Sequence, residues 1–236
     1  MKNNIFLFVL LSVLLTSCSN IKDNLTITGS IKSLKKGTLY LQKVEDTAVV
    51  SIDSLIIDGD SRFSFSTFVE SPQIYYLHLD VKTGNIMDDM LAIFVEPGEI
   101  TVQTTLKNFE RDAVITGSKN HVKLSEYREG MQRYSDKNLE LLKENFEAQK
   151  LQNDSILKAV QKQQQSLLLN KYLATINFAK NNSSLEVAPY LVLTDAYNVN
   201  VKFMDTVYNS LSASVKTSKY GKELERFIAE IKSEEE

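Results

Sequence analysis

RFSFS, residues 62–66, puts Phe63 and Phe65 on one side of an extended chain and Ser64 and Ser66 on the other. The same two-residue period recurs on both sides of it. LTITGSI (25–31) and GTLYLQK (37–43) precede it, and QIYYLHL (73–79), LAIFV (91–95) and EITVQT (99–104) follow. Turn chemistry separates these runs: SLKKG before Thr38, DGDS at 58–61, ESP before Gln73 and EPGE at 96–99. Short alternating strands at this spacing predict an antiparallel β-sandwich or open barrel of roughly eight strands, with one wet face per sheet. VKTGNIMDDM (81–90) reads as a long loop between two of them.

After Gly117 the period changes. Leu124, Tyr127, Met131 and Tyr134 recur at three and four residues, and Leu139, Leu142 and Phe146 continue the expected stripe. NDS (153–155) is a cap or break. A second stripe follows on Leu157, Val160, Leu168, Tyr172 and Ile176, with QKQQQ (161–165) on its polar face. NNSS (181–184) punctuates again. Shorter helices are expected near 185–196, 205–214 and 219–232, the last capped by Ser218. The chain is therefore read as α+β: a β-sandwich-like domain over 25–118, then a helical region over 119–236.

The N-terminus carries a different signal. Lys2 is followed by a nearly unbroken apolar run from Ile5 to Leu15. Such a run fits a signal-peptide core and falls short of the roughly 20 residues that span a bilayer. It ends at Leu15-Thr16-Ser17-Cys18, which resembles the lipobox of bacterial lipoproteins. That resemblance implies a signal peptide over 1–17, lipidation of Cys18 and a tether over 18–24. It also implies a membrane partner through the lipid and a place in the cell envelope, as an outer-membrane lipoprotein facing the periplasm. Cys18 is the only cysteine, so no disulfide, CxxC pair or thiolate metal site can form within this sequence. With 27 basic and 30 acidic residues there is no basic excess to favour nucleic acid.

The β part also resembles a known family on ITGSIKSLKKGTLYLQ (27–42), SIDSLIIDGDSRFSFS (51–66), SPQIYYLHLD (71–80), AIFVEPGEITV (92–102) and VITGSKNH (114–121). These segments are similar to the β-rich N-terminal domain of unknown function of lipid-anchored envelope proteins that usually carry a C-terminal thioredoxin-like domain. NSLSASVKTSKYGKELERFIAEIK (209–232) resembles the connector of that family. The sequence ends shortly after this segment, without the CxxC pair of the relatives. The resemblance therefore implies fold, anchoring and envelope location, and carries no thiol–disulfide activity onto any residue here.

Candidate sites weigh against chemistry. His78 and His121 are the only imidazoles and lie in no cluster with metal-ligand spacing, so no metal and no cofactor is expected. Asp88-Asp89 and Glu96/Glu99 offer carboxylate pairs, read respectively as solvated loop and as turn chemistry. Tyr40, Tyr75 and Tyr76 could form an aromatic platform but suit strand packing better. No Ser sits in a nucleophile elbow, and no catalytic residue is assigned. Asp-Ser/Thr-aliphatic steps mark Thr47, Ser54, Ser155 and Thr206, resembling an O-glycosylation pattern of exported proteins in one bacterial phylum. The expected function is a non-catalytic, lipid-anchored envelope binding or accessory module that meets an envelope protein or peptide. The alternative is an accessory partner of a thioredoxin-like oxidoreductase acting in trans.

Overall fold

The computed structural model describes residues 22–81 and 89–234. Eight strands lie among them: β1 (Leu25–Lys32), β2 (Lys36–Glu45), β3 (Ala48–Asp58), β4 (Arg62–Thr67), β5 (Gln73–Asp80), β6 (Met90–Val95), β7 (Gly98–Thr105) and β8 (Val114–Thr116). They form two four-stranded sheets, ordered β4-β1-β7-β8 and β3-β2-β5-β6. Phe63 and Phe65 point inward and meet Leu25, Ile27, Leu39, Leu41, Leu77 and Ile93 in one apolar layer between the sheets. The expected sandwich is therefore present, with two departures from the sequence reading.

The first departure is that β1 and β7 run parallel, from Leu25↔Gly98 to Lys32↔Thr105. All of β2 to β6 intervenes in the chain, so no tight hairpin dictates their direction. The second concerns β5 and β6. One face of this pair fills the sandwich, while Ile74, Tyr76, Ala92 and Phe94 on the other face pack against helices. MLAIFV is apolar on both sides for that reason and has no wet face.

Six helices follow: α1 (Lys119–Lys150), α2 (Asp154–Asn181), α3 (Val187–Asp195), α4 (Val201–Ser210), α5 (Ala213–Thr217) and α6 (Lys219–Glu234). The single helix expected near 205–214 is two, because Leu211 is extended and Ser212 caps α5. Ser218 opens α6, its Oγ accepting from the Gly221 N–H at 3.4 Å. Ile176, Ala179, Val192, Met204, Val207, Val215 and Leu224 share a second core.

Helices α1 and α2 form a long antiparallel hairpin. Between residues 125 and 150 the residues that are not exposed are Tyr127, Met131, Tyr134, Leu141, Asn145 and Ala148. On α2 and its N-cap they include Asn153, Leu157, Val160, Gln164, Leu167, Lys171 and Ala174. Both sets step by four and three, apart from one step of seven from Tyr134 to Leu141 where Asn138 is exposed, which is the heptad of a coiled-coil seam. The Tyr127 and Phe178 rings, 5.3 Å apart, fix the register of the two helices. Leu139, Leu142, Phe146 and Leu168 fall outside this seam and are exposed, contrary to the stripes read from sequence. Two helices wound on each other keep a period of 3.5 residues, and the seam accepts Asn145 and Gln164 to keep it.

Candidate functional site

Gly117 and Ser118 turn the chain from β8 into α1. Gly117 has φ +98°, and a Cβ there would run into the Glu99 carbonyl oxygen, so only glycine fits. Ser118 is the N-cap, its Oγ accepting from the His121 N–H at 3.0 Å. Glu96 takes the next free donors: Oε1 accepts from the Lys119 N–H at 2.8 Å and Oε2 from the Asn120 N–H at 3.3 Å. A carboxylate here also meets the positive end of the helix dipole.

Asn120 is 1% exposed and uses its whole amide. Its Nδ2 donates to Glu96 Oε2 at 2.8 Å and to Glu186 Oε2 at 2.9 Å, while Oδ1 accepts from the Val187 N–H at 2.8 Å. One side chain thus ties the β6–β7 turn, the start of α1 and the start of α3. Two further helical side chains finish the sheet. Tyr220 Oη accepts from the Ile74 N–H at 3.0 Å, one residue past the last β2–β5 pair, Lys43↔Tyr75. His121 Nδ1 accepts from the Phe94 N–H of edge strand β6 at 3.3 Å. These bonds satisfy main-chain donors that the sheet leaves open.

Burial first, and the nearby Arg128 charge second, hold the His121 imidazole down to about 4. It is neutral near pH 7, with Nδ1 as acceptor and the proton on Nε2. No described side chain takes Nε2–H, and no described buried side-chain nitrogen or oxygen lacks a partner, so this N–H opens to solvent. It does so in a cleft of about 830 Å³ between β6, the 106–113 loop and α1. His121, Ser125, Arg128 and Gln132 line one wall as a single helical stripe. Lys107 and Arg111 come from the loop, and Glu110 and Glu129 also line the cleft. Among the described residues, none of Lys107, Arg111 and Arg128 forms an ion pair. The loop itself is pinned. Phe109 is buried in the sandwich, its carbonyl accepts from Thr104 Oγ1 at 2.6 Å, and Asp112 accepts from Thr105 and Asn108.

The residues singled out from sequence are scattered. Cys18 and Asp88 lie outside the described residues, as do 1–21 and most of the expected 81–90 loop. Asp89 offers its carbonyl to the Leu79 N–H at 2.8 Å. Glu96 holds the start of α1, while Glu99 is exposed on β7. Tyr75 is inside the sandwich, Tyr76 faces the helices, and Tyr40 sits 5.8 Å from the His78 ring on the outer face of the sheet. The three tyrosines therefore build no common platform. Thr47 lies in the β2–β3 turn, Ser54 on β3, Ser155 in the first turn of α2 and Thr206 within α4; all four are exposed. Among the described residues no group of three or more His, Cys, Asp or Glu could hold a metal. Arg128, Lys107, Arg111 and Asn120 carried no sequence signal, since each reads alone as a solvated side chain.

Residues 25–124 match the family model for a domain of unknown function, DUF4369. The match begins with β1 and ends just inside α1, so it includes Glu96, Asn120 and His121 but not Arg128 or Glu186. No curated protein matches the chain.

Proposed function

We propose that this protein is a non-catalytic binding module of the cell envelope, anchored through Cys18, and that its ligand site is the cleft between β6, the 106–113 loop and α1. The observation that carries this reading is the set of donors there. Arg128, Lys107 and Arg111 have no ion-pair partners among the described residues, and the His121 Nε2–H points to the same space. Such a set favours a ligand bearing carboxylate or phosphate groups, since guanidinium and ammonium donors bond most strongly to anions. From His121 to Arg128 the helix rises about 10 Å, which leaves room for more than one acidic group. The imidazole is a poor general base because its free nitrogen already carries the proton and its other lone pair is taken by Phe94. In this reading the β part is the domain that the family resemblance associates with lipid-anchored thiol–disulfide oxidoreductases, used here to bind without redox chemistry.

Titration of the protein with succinate and with inorganic phosphate, followed by NMR of side-chain N–H groups, tests the site. Saturable shifts at His121 Nε2 and Arg128 Nε are expected in the wild type, and the His121 shift should be lost in Arg128→Gln. Shifts spread evenly over surface lysines, or none at these two residues, would sink the assignment. For the anchor, metabolic lipid labelling should mark the wild type and not Cys18→Ala; equal labelling would remove it.

A further inference from the structure

Strand β6 is the edge of its sheet, and Leu91 and Ala92 line the cleft. The antiparallel ladder says which main-chain groups are open there. The Leu79 N–H donates to the Asp89 carbonyl at 2.8 Å, so the pairs Leu77↔Leu91 and Tyr75↔Ile93, two and four residues on, also exchange bonds. The residues between them, Ala92 and Phe94, turn N–H and C=O away from β5. The bond from the Phe94 N–H to His121 has that direction. Ala92 differs, since among the described residues no group bonds its N–H or its C=O. One unused donor and acceptor pair on a sheet edge is the rung that a further strand needs.

The same alternation places the side chains of such a strand. A residue opposite Ala92 shares its face, and that face is turned to the helices. Its side chain meets the α1 stripe of Ser125, Arg128 and Gln132. The residues before and after it point to the other face, where Leu91 joins the sandwich layer and Ala113 and Ile115 line the cleft. Charge narrows the choice further. Lys107, Arg111 and Arg128 stand against Glu110 and Glu129, and His121 is neutral, so the cleft has a surplus of one positive charge. The length of the α1 stripe would admit more than one acidic group, but this surplus calls for one. We infer that the cleft takes an extended peptide segment of another protein, which adds to β6 as a fifth strand with an acidic side chain opposite Ala92 and aliphatic side chains on either side of it. The inference rests on the cleft being the ligand site and names the class of ligand. Main-chain bonds to Ala92 hold the segment whatever its sequence, and the two faces read alternate side chains. His121 ends the ladder, because its Nδ1 already takes the Phe94 N–H. Three residues of strand span about 10 Å, the same as the rise of α1 from His121 to Arg128, so a short segment is enough. A free phosphate or a small diacid would use Arg128 and leave Ala92 to water.

The experiment is NMR of the full chain in detergent micelles, with the capped pentapeptide acetyl-Thr-Val-Glu-Val-Thr-amide added to about 5 mM. The peptide should slow hydrogen exchange at the Ala92 N–H in a saturable way. Glutamine in place of the glutamate should weaken binding about tenfold, since one charge-assisted bond is lost. Arg128→Gln should erase the difference between the two peptides. An N-methyl group on the glutamate removes the N–H that the Ala92 carbonyl takes from an antiparallel strand, and one on the valine after it removes the N–H taken from a parallel strand. One of these two forms should bind about tenfold more weakly, and it gives the strand direction. Succinate separates this inference from the reading it rests on. If succinate shifts His121 Nε2 and Arg128 Nε while the peptide leaves Ala92 exchange unchanged, the cleft stands as the site and the peptide inference falls. If neither ligand acts there, both fall. Equal affinity for the glutamate and glutamine peptides would overturn the inference, as would two N-methyl forms that bind as tightly as the parent.

Discussion

Asn120→Ala removes the side chain that joins the two parts of the molecule. The Val187 N–H loses its acceptor in a buried position, which costs about 1–3 kcal/mol. The two bonds from Nδ2 to Glu96 and Glu186 are charge-assisted, and each contributes about 1.5–3 kcal/mol while it stands. Their loss is partly offset. Glu96 keeps the Lys119 and Asn120 main-chain N–H groups, and both carboxylates are only half-buried and can take water. The sum comes to about 3–4 kcal/mol, a large share of the roughly 5–15 kcal/mol that holds a domain together. Urea unfolding followed by far-ultraviolet circular dichroism measures it. Lys119→Ala, one residue earlier and exposed, keeps its N–H on Glu96 and should cost under about 0.5 kcal/mol. Asn120→Asp keeps an acceptor for Val187 but sets a third carboxylate beside two others. Its deficit should be largest near neutral pH and shrink as acid protonates the introduced carboxyl. A loss below about 1 kcal/mol for Asn120→Ala would refute the idea that this amide is the joint.

Three further outcomes follow from the same seam. Tyr220→Phe strands the Ile74 N–H and should cost about 1–3 kcal/mol, with faster hydrogen exchange at Ile74; an unchanged exchange rate would count against the cap. Gly117→Ala should cost more than Gly59→Ala, by about 1 kcal/mol or more, because both have positive φ but only the first would meet a carbonyl; equal urea midpoints would contradict this. The His121 pKa is lowered on folding, from 6.5 to about 4, so its stabilising effect is complete above 6.5 and is lost as pH falls toward 4. Between pH 7 and 4.5 the wild type should lose about 2 kcal/mol more than His121→Gln, allowing for the opening of the ring onto the cleft; parallel pH curves would disprove the shift.

Much of the fold is legible because strand alternation is a local property. Phe63 and Phe65 face the core in the structure as the spacing alone requires, and each turn cluster separates two strands. The parallel pairing of β1 with β7 has no local mark, since either direction leaves the same residues buried. Leu139, Leu142 and Phe146 mislead for a physical reason. An apolar stripe announces burial against something, and the eye joins it to the nearest stripe, whereas the seam runs through Leu141, Asn145 and Ala148. The candidate site is the least legible part. Glu96 was visible as a turn residue, but its bond to the start of α1 spans more than twenty positions. The role of His121 depends on Phe94 lying on a sheet edge, which no local pattern marks.

The seam also bears on whether the cleft is a hinge. Two parts that met only through apolar contacts could slide, because such contacts are non-directional. Here the boundary is crossed by directional bonds at three separate places: Glu96 with Asn120, Phe94 with His121, and Ile74 with Tyr220. Two of them answer main-chain donors with no other described partner, and the third joins a buried amide that also holds Glu186 and Val187, so opening the seam would break all three together. The Phe94 ring adds edge contacts to Tyr190 and Tyr220 from two different helices. His121, which completes the edge of the sheet at Phe94, is also part of the cleft wall. The main chain at His121 and Arg128 stands at fixed spacing on α1 before any ligand arrives, and the imidazole is held by Phe94, so of the two side chains only the exposed Arg128 has still to be ordered on binding.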